Sequence, residues 1–430
     1  MTLANPNELS ALDALKEMQA GSLSSEELVL SCLDRIRERE KTIGAWQFIE
    51  PEQALDDAQV LDKNNENLPL FGIPVGVKDI FNTSTMPTTY GSQIYQGHRP
   101  VADASSVTRI RDTGGIVLGK TVTTEFAFFE PGKTANPINP NHTPGGSSSG
   151  SAAAVADFMV PLALGSQTVG STIRPASYCG VIGYKPSFGL IDRTGVRALA
   201  ESFDTVGIFA RTIGDAAYFG SLLSRRPSIF SPHTENFRPR FGMCKTPEWQ
   251  YAEEDTKKAI ETAASIIDSC NGDIREIRLP SPFDELSRAQ SVIADYESAN
   301  SALYELIYHK EKVSIKYRER AESGLSYSEK EYDDACEIIL GAQSLAPKIF
   351  ANIDVILCPS APGEAPKGLG ATGDPIFNRI GTALKGPCLN IPGLTGHSGL
   401  PVGVQIIGEF KDDKNTLQSG QWLHQMLQAH

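Results

Sequence analysis

The chain has 430 residues, 40% of them hydrophobic and 21% charged, an ordinary globular composition with enough apolar content for a sizeable core. A formal net charge of −13 with no basic stripe argues against a nucleic-acid partner, whose phosphates call for clustered lysine and arginine. Seven cysteines, at positions 32, 179, 244, 270, 336, 358 and 388, are odd in number and scattered without a C-x-x-C pair. They read as a reduced compartment with no structural zinc, and Cys179 and Cys358 as core fillers.

Met1-Thr2-Leu3-Ala4-Asn5-Pro6 has no basic region followed by an apolar one, so a signal peptide is not expected and the location predicted is cytoplasmic. Ser24-Ser25-Glu26-Glu27 is a capping-box pattern that predicts a helix to about Glu40. Gly72 to Val77 and Ile116 to Leu118 read as strands, Ser105 to Asp112 and Ser151 to Phe158 as helices. The apolar stretch Ser151 to Gly165 is broken by Asp157 and Pro161 and is shorter than the roughly 20 residues a bilayer needs, so no membrane partner is predicted. From about Arg226 to Pro347 the texture turns polar and mostly helical, with long stretches at Glu253 to Asp268 and Leu286 to Arg318, suggesting a peripheral layer or lid. Asp354 to Leu357 and Val402 to Ile407 return to strand-like runs. The expected fold is therefore α/β, one large domain over 1–430 with a central mixed sheet covered by helices on both faces. Its parts are a helical front piece (1–65), a core (66–225), a variable helical region (226–350) and a tail that rejoins the sheet (351–430).

Two phosphate and nucleophile motifs match formally and fail physically. Gly114-Gly115-Ile116-Val117-Leu118-Gly119-Lys120-Thr121 fits G-x-x-x-x-G-K-[ST], but its interior is an apolar strand rather than an open nest of backbone N–H groups. Gly146-Ser147-Ser148-Ser149-Gly150 fits G-x-S-x-G, yet Asn141-His142-Thr143-Pro144 before it is turn chemistry, not a buried strand. The histidines at 98, 142, 233, 309, 397, 424 and 430 never stand at ligand spacing, so no metal is expected, and no cofactor is called for. His142 and His397 lie in Gly- and Pro-rich surroundings that could border a cleft, but each reads better as a surface or hydrogen-bonded residue.

The run Thr143-Pro144-Gly145-Gly146-Ser147-Ser148-Ser149-Gly150-Ser151 is too short and too well bounded to be a Gly/Ser linker, because Ala152-Ala153-Ala154-Val155-Ala156 continues directly as helix. Its serines therefore sit at a helix N-terminus, where backbone N–H groups point outward. A serine nucleophile at neutral pH needs a group to take its proton, and Lys78, at the end of the apolar segment Gly72-Ile73-Pro74-Val75-Gly76-Val77, could do so without histidine.

The lysine segment, the Gly146 to Ala156 run and Gly170-Ser171-Thr172-Ile173-Arg174-Pro175-Ala176-Ser177-Tyr178-Cys179-Gly180 together resemble the amidase signature family. The likeness continues through Gly183-Tyr184-Lys185-Pro186, Ser202-Phe203-Asp204-Thr205-Val206-Gly207 and Gly399-Leu400-Pro401-Val402-Gly403, and is weak between about 226 and 350. It implies an amidase acting on a small-molecule amide through an acyl-enzyme. Lys78 would be the base, Ser147 a bridging serine with a cis peptide, and Ser171 the nucleophile, 24 residues after Ser147. Burial must then bring the lysine pKa from about 10.4 to near neutrality, worth about 4 kcal/mol. The resemblance also implies an oxyanion hole of N–H groups from Thr168, Val169, Gly170 and Ser171, and a homodimer as the family-level expectation; Gly146 is a supporting residue, and Ser149 and Ser151 read as supports of the turn or equally as helix caps.

Two positions depart from the commoner pattern. Gln167-Thr168-Val169-Gly170-Ser171 stands where Asp-Thr-Gly-Gly-Ser is usual, so Val169 is expected in a backbone angle better suited to glycine. Arg174 follows the nucleophile by three positions rather than two, as in malonamidase-like members where that arginine holds a substrate carboxylate; the alternative is an ion pair within the loop. The main expectation is thus a small, carboxylate-bearing amide. The alternatives are the amidase subunit of a glutamine-dependent amidotransferase, which requires a partner, a hydrolase of urea-derived or aryl amides, or a silent binding protein on the same fold.

Overall fold

The structure, a computed structural model, describes residues 5–64, 68–230 and 237–430. The first four residues of the leader reading, the boundary between 65 and 66, and His233 lie outside the described residues.

The capping box at Ser24 forms as written: Ser24 Oγ accepts from Glu27 N at 3.1 Å while the Glu27 carboxylate accepts from Ser24 N at 2.9 Å. The helix it opens, Ser25–Ile43, ends at Gly44, whose left-handed φ of 63° suits glycine. Its apolar face carries Leu28, Cys32, Leu33 and Ile36 into the core.

Among the described residues eleven strands form one sheet: β1 (Trp46–Ile49), β2 (Pro74–Lys78), β3 (Ile116–Thr121), β4 (Leu162–Gln167), β5 (Ile182–Lys185), β6 (Thr205–Ala210), β7 (Arg240–Cys244), β8 (Asp273–Ile277), β9 (Val355–Pro359), β10 (Cys388–Thr395) and β11 (Pro401–Gly408). Their order is β1-β3-β2-β4-β6-β5-β10-β11-β9-β7-β8. The sheet is mixed, with β2 parallel to β3 and β4, β7 parallel to β8 and β9, and the remaining pairs antiparallel. β2, β3, β4, β6 and β9 are buried along their whole length, which requires helices on both faces. The chain is one domain built on this sheet.

The region 226–350, read as a mostly helical peripheral layer or lid, also contributes β7 and β8 to the sheet. β8 is a charged edge strand, with Asp273, Arg275 and Glu276 exposed, a pattern that protects an edge and hides the strand from a hydrophobicity reading. The long charged stretch Leu286 to Arg318 falls in three helices, Leu286–Ser301, Leu303–Tyr308 and Ile315–Ser326. Ser314 restarts the last of these as an N-cap, accepting from Tyr317 N.

Candidate active site

β2 and β4 run parallel as neighbours, so their carboxyl ends open on the same side of the sheet, where α/β folds place their ligands. Lys78 is the last residue of β2 and is completely buried behind Ile73, Val75 and Val77, themselves fully inaccessible. Its Nζ lies 2.7 Å from Ser147 Oγ and 2.7 Å from Ser166 Oγ. No carboxylate among the described residues pairs with it. Burial consequently holds its pKa well below the ordinary lysine value, against the opposing field of Asp204.

Ser147 comes from the turn before the helix Ser149–Ala156, which carries the chain from β3 to β4. The turn needs Gly145 at φ 81°, and a Cβ there would stand 2.8 Å from the Pro175 backbone. The Gly146–Ser147 peptide is cis. The neighbouring serines are anchors: Ser149 Oγ donates to Val122 O at 3.3 Å and Ser151 Oγ to Leu164 O at 2.7 Å. Ser148, the residue an elbow motif would select, is buried and exchanges hydrogen bonds with the backbone of Ser166.

Ser171 closes the turn between β4 and the helix Ile173–Cys179 and lies half-buried on a cavity wall. Gln167 organises this turn, its side-chain carbonyl accepting from Thr172 N and Ile173 N at 3.0 and 3.1 Å. The N–H groups of Val169, Gly170 and Ser171 donate to no acceptor among the described residues, leaving three adjacent donors beside the Ser171 hydroxyl. Gly170 leaves no room for a side chain, because a Cβ would overlap Asn378. Val169 corrects its expectation: it is not among the residues with positive φ, and its carbonyl is held by Thr382 Oγ1 at 2.9 Å. The valine therefore occupies ordinary L-residue backbone space.

Arg174 is fully buried one turn further on. Its Nη2 donates to Gly146 O at 2.6 Å and to Thr372 Oγ1 at 3.2 Å, tying the turn of Ser147 to the helix that follows Ser171. Among the described residues Nε and Nη1 have no partner and no carboxylate forms an ion pair with the guanidinium, so the loop ion pair is not observed. Burial lowers its pKa to about 10, which leaves it cationic at neutral pH. Arg174 shares the Ser171 cavity with Phe128, Asp295, Arg320 and Arg379.

Of the residues expected from the sequence, Lys78 and Ser147 lie within hydrogen-bond distance; Ser166, equidistant from the lysine, was not among them. Its signal was modest: it stands one residue before the Gln167 turn, at the end of an apolar strand. The rejected phosphate motif is indeed strand β3, and its Lys120 is buried 3.1 Å from Asp79. His142 forms an isolated antiparallel bridge with Lys367. His397 is an exposed partner of Asp255 at 2.6 Å and lies near Glu364, a grouping of three potential ligands invisible in the local spacing. Glu364 is occupied in accepting from Ser398 N and Leu400 N.

The Amidase family profile matches residues 27–417. The chain is 31% identical to the A subunit of the glutamyl-tRNA(Gln) amidotransferase of Natranaerobius thermophilus, over 98% of its own length and 96% of that protein. Among solved structures, one described as an amidase superimposes with a TM-score of 0.89 at 27% identity, covering 97% of this chain and 99% of the other. The peptide amidase of Stenotrophomonas maltophilia gives a TM-score of 0.82 at 26% identity, covering 98% and 97%. The chain belongs to the amidase (amidase signature) family. It is accordingly an enzyme that cleaves amide C–N bonds, and among the described residues no helix is long and apolar enough to cross a membrane.

Proposed function

We propose that this chain releases ammonia from a small carboxylate-bearing carboxamide through an acyl-enzyme on Ser171, serving as the amidase component of a glutamine-dependent amidotransferase. The observation that carries the catalytic reading is the buried Lys78, 2.7 Å from Ser147 Oγ and without a carboxylate partner among the described residues. Neutral Lys78 accepts the Ser147 proton, Ser147 accepts that of Ser171, and Ser171 Oγ attacks the carbonyl carbon. The N–H groups of Val169, Gly170 and Ser171, with Thr168 at the start of the turn, receive the developing oxyanion, each donor worth about 3 kcal/mol. The C–N bond then breaks as the relay returns a proton to the leaving nitrogen, and water hydrolyses the acyl ester by the same route.

The full-length likeness to the amidotransferase relatives supports a role within such an assembly over a free-standing hydrolase, and with it a protein partner. A carboxylate on the substrate is supported by Arg174, whose Nε and Nη1 are buried and unpartnered among the described residues, and by Arg320 and Arg379 in the same cavity. Asp295 pairs with Arg320 through Oδ1 at 2.7 Å, and its Oδ2, without a partner among the described residues, offers a site for an ammonium group, as glutamine would bring. The free-standing reading keeps some support from the likeness to solved amidases.

Ammonia release from glutamine, malonamate-like, neutral aliphatic, aryl and urea-like amides tests this reading, with co-purification of a second polypeptide as the parallel measurement. Glutamine turnover that increases with a co-purified partner is expected. Preferential turnover of malonamate-like or neutral amides by the isolated chain would move the assignment to a free-standing hydrolase. Equal activity of Arg174→Ala on charged and neutral amides would remove the carboxylate assignment.

A further inference from the structure

Asp204 immediately precedes β6 and is a buried carboxylate that the relay does not use. Thr168 Oγ1 donates to its Oδ1 at 2.5 Å, while Leu199 N and Ala200 N donate to its Oδ2 at 2.8 and 3.1 Å. Arg193 Nη1 stands 3.7 Å from the same oxygen. A small cavity has Ser166, Thr168, Leu199 and Asp204 among its walls, so the carboxylate borders the same space as a hydroxyl bonded to Lys78. Thr168 and Leu199 also line the cavity of Ser171.

We propose that Asp204 is a positioning residue: it fixes Thr168 and Leu199 around the reacting centre, and its charge sets the pH at which Lys78 gives up its proton. The inference rests on the relay reading above. Among the described residues Asp204 is the acid whose field opposes the burial of Lys78. The other charged groups facing this space are Arg193 and Arg197, and the latter is paired with Glu305 at 2.7 Å. Burial pushes the Asp204 carboxyl up to about 6, while its three hydrogen-bond donors and Arg193 favour the ionised form. An ionised Asp204 favours lysinium. Replacing it by a neutral group lets Lys78 deprotonate at lower pH, so the acid limb of activity moves down. The carboxamide introduced by Asp204→Asn also presents a single carbonyl oxygen to three donors, which loosens the turn.

The experiment is the rate of Ser171 labelling by a fluorophosphonate probe against pH, in wild type, Asp204→Asn, Thr168→Val and Ser171→Ala. Asp204→Asn should label about tenfold more slowly at its plateau, with an acid limb about one pH unit lower. Thr168→Val, which removes the hydrogen bond and keeps the charge, should label slowly with an unmoved limb. An unmoved limb in Asp204→Asn overturns the electrostatic role, and Thr168→Val within twofold of wild type overturns the positioning role. If Asp204→Asn does not fold, Thr168→Val still decides the second. Labelling that persists in Ser171→Ala overturns the relay itself rather than the part assigned to Asp204.

Discussion

Two buried lysines, Lys78 at the last position of β2 and Lys120 one before the last of β3, stand on neighbouring parallel strands, and their surroundings assign them opposite chemistry. Lys78 closes β2 among hydroxyls, with Ser147 and Ser166 at 2.7 Å. Lys120, near the end of β3, meets Asp79 at 3.1 Å and donates to Phe81 O and Thr88 Oγ1, each at 2.7 Å. Desolvation depresses both; the Asp79 charge opposes it at Lys120, which stands at about 8, while burial holds Lys78 well below the ordinary lysine value with no paired carboxylate beside it. Asp79 follows Lys78 directly in sequence, yet its side chain turns to Lys120 and takes the backbone N–H of Thr89 at 3.0 Å. Successive residues of an extended chain face opposite ways. One carboxylate thus completes an ion pair on one side and leaves the reactive amine without a counter-charge on the other.

The comparison breaks most severely if Lys78 proves dispensable. Lys78→Met and Ser171→Ala should each lower amide turnover by about 10⁴-fold or more, measured as kcat on the amide that gives most ammonia. Lys120→Met should retain turnover if it folds.

The next effect falls on stability. Asp79→Asn leaves Lys120 buried without its counter-charge and should cost about 3–5 kcal/mol, read from the denaturant midpoint at constant m-value. Asp79→Asn combined with Lys120→Met should recover part of that loss, because no uncompensated charge then remains.

A smaller effect sharpens the contrast through pH. The folded-state pKa of Lys78 lies below its unfolded value, so the unfolded chain binds the extra proton between them. Stability contributed at this position therefore rises with pH up to about 10. Wild type should gain stability relative to Lys78→Met between pH 7 and pH 9, as followed by paired chemical denaturation. A constant difference would mean that Lys78 is charged when folded.

The smallest effect concerns Val169. Since its φ is not positive, Val169→Gly offers no relief of backbone strain. It should leave kcat within about threefold and cost about 1 kcal/mol through added chain entropy. A large gain in rate would show that the valine side chain itself restricts the cavity.

Much of this was legible in the chain because it depends on local order. The Ser24 capping box, the apolar approach to Lys78 and the glycines around Ser147 act over a few residues, and helix and strand periods expose them. The edge strand β8 was not legible, since its charges serve solvent rather than a core. Ser166 and Asp204 were missed as site residues because their significance lies in contacts over 88 and 36 residues of chain.

The sequence by itself determined the mixed α/β class, the membership in an amide-cleaving family and the candidate relay of Lys78, Ser147 and Ser171. The class follows from helix and strand patterning, and the family and the relay from the resemblance carried by the segments around Lys78, Ser147 and Ser171, all of which survive without coordinates. Only the tertiary structure decided which lysine lacks a counter-charge, that Val169 needs no glycine-like angle, and that Arg174 keeps two nitrogens without a partner among the described residues while binding Gly146. The physical reason is that proton affinity and free hydrogen-bonding capacity depend on burial and on what distant segments place within a few ångströms, and neither quantity is written in residue order.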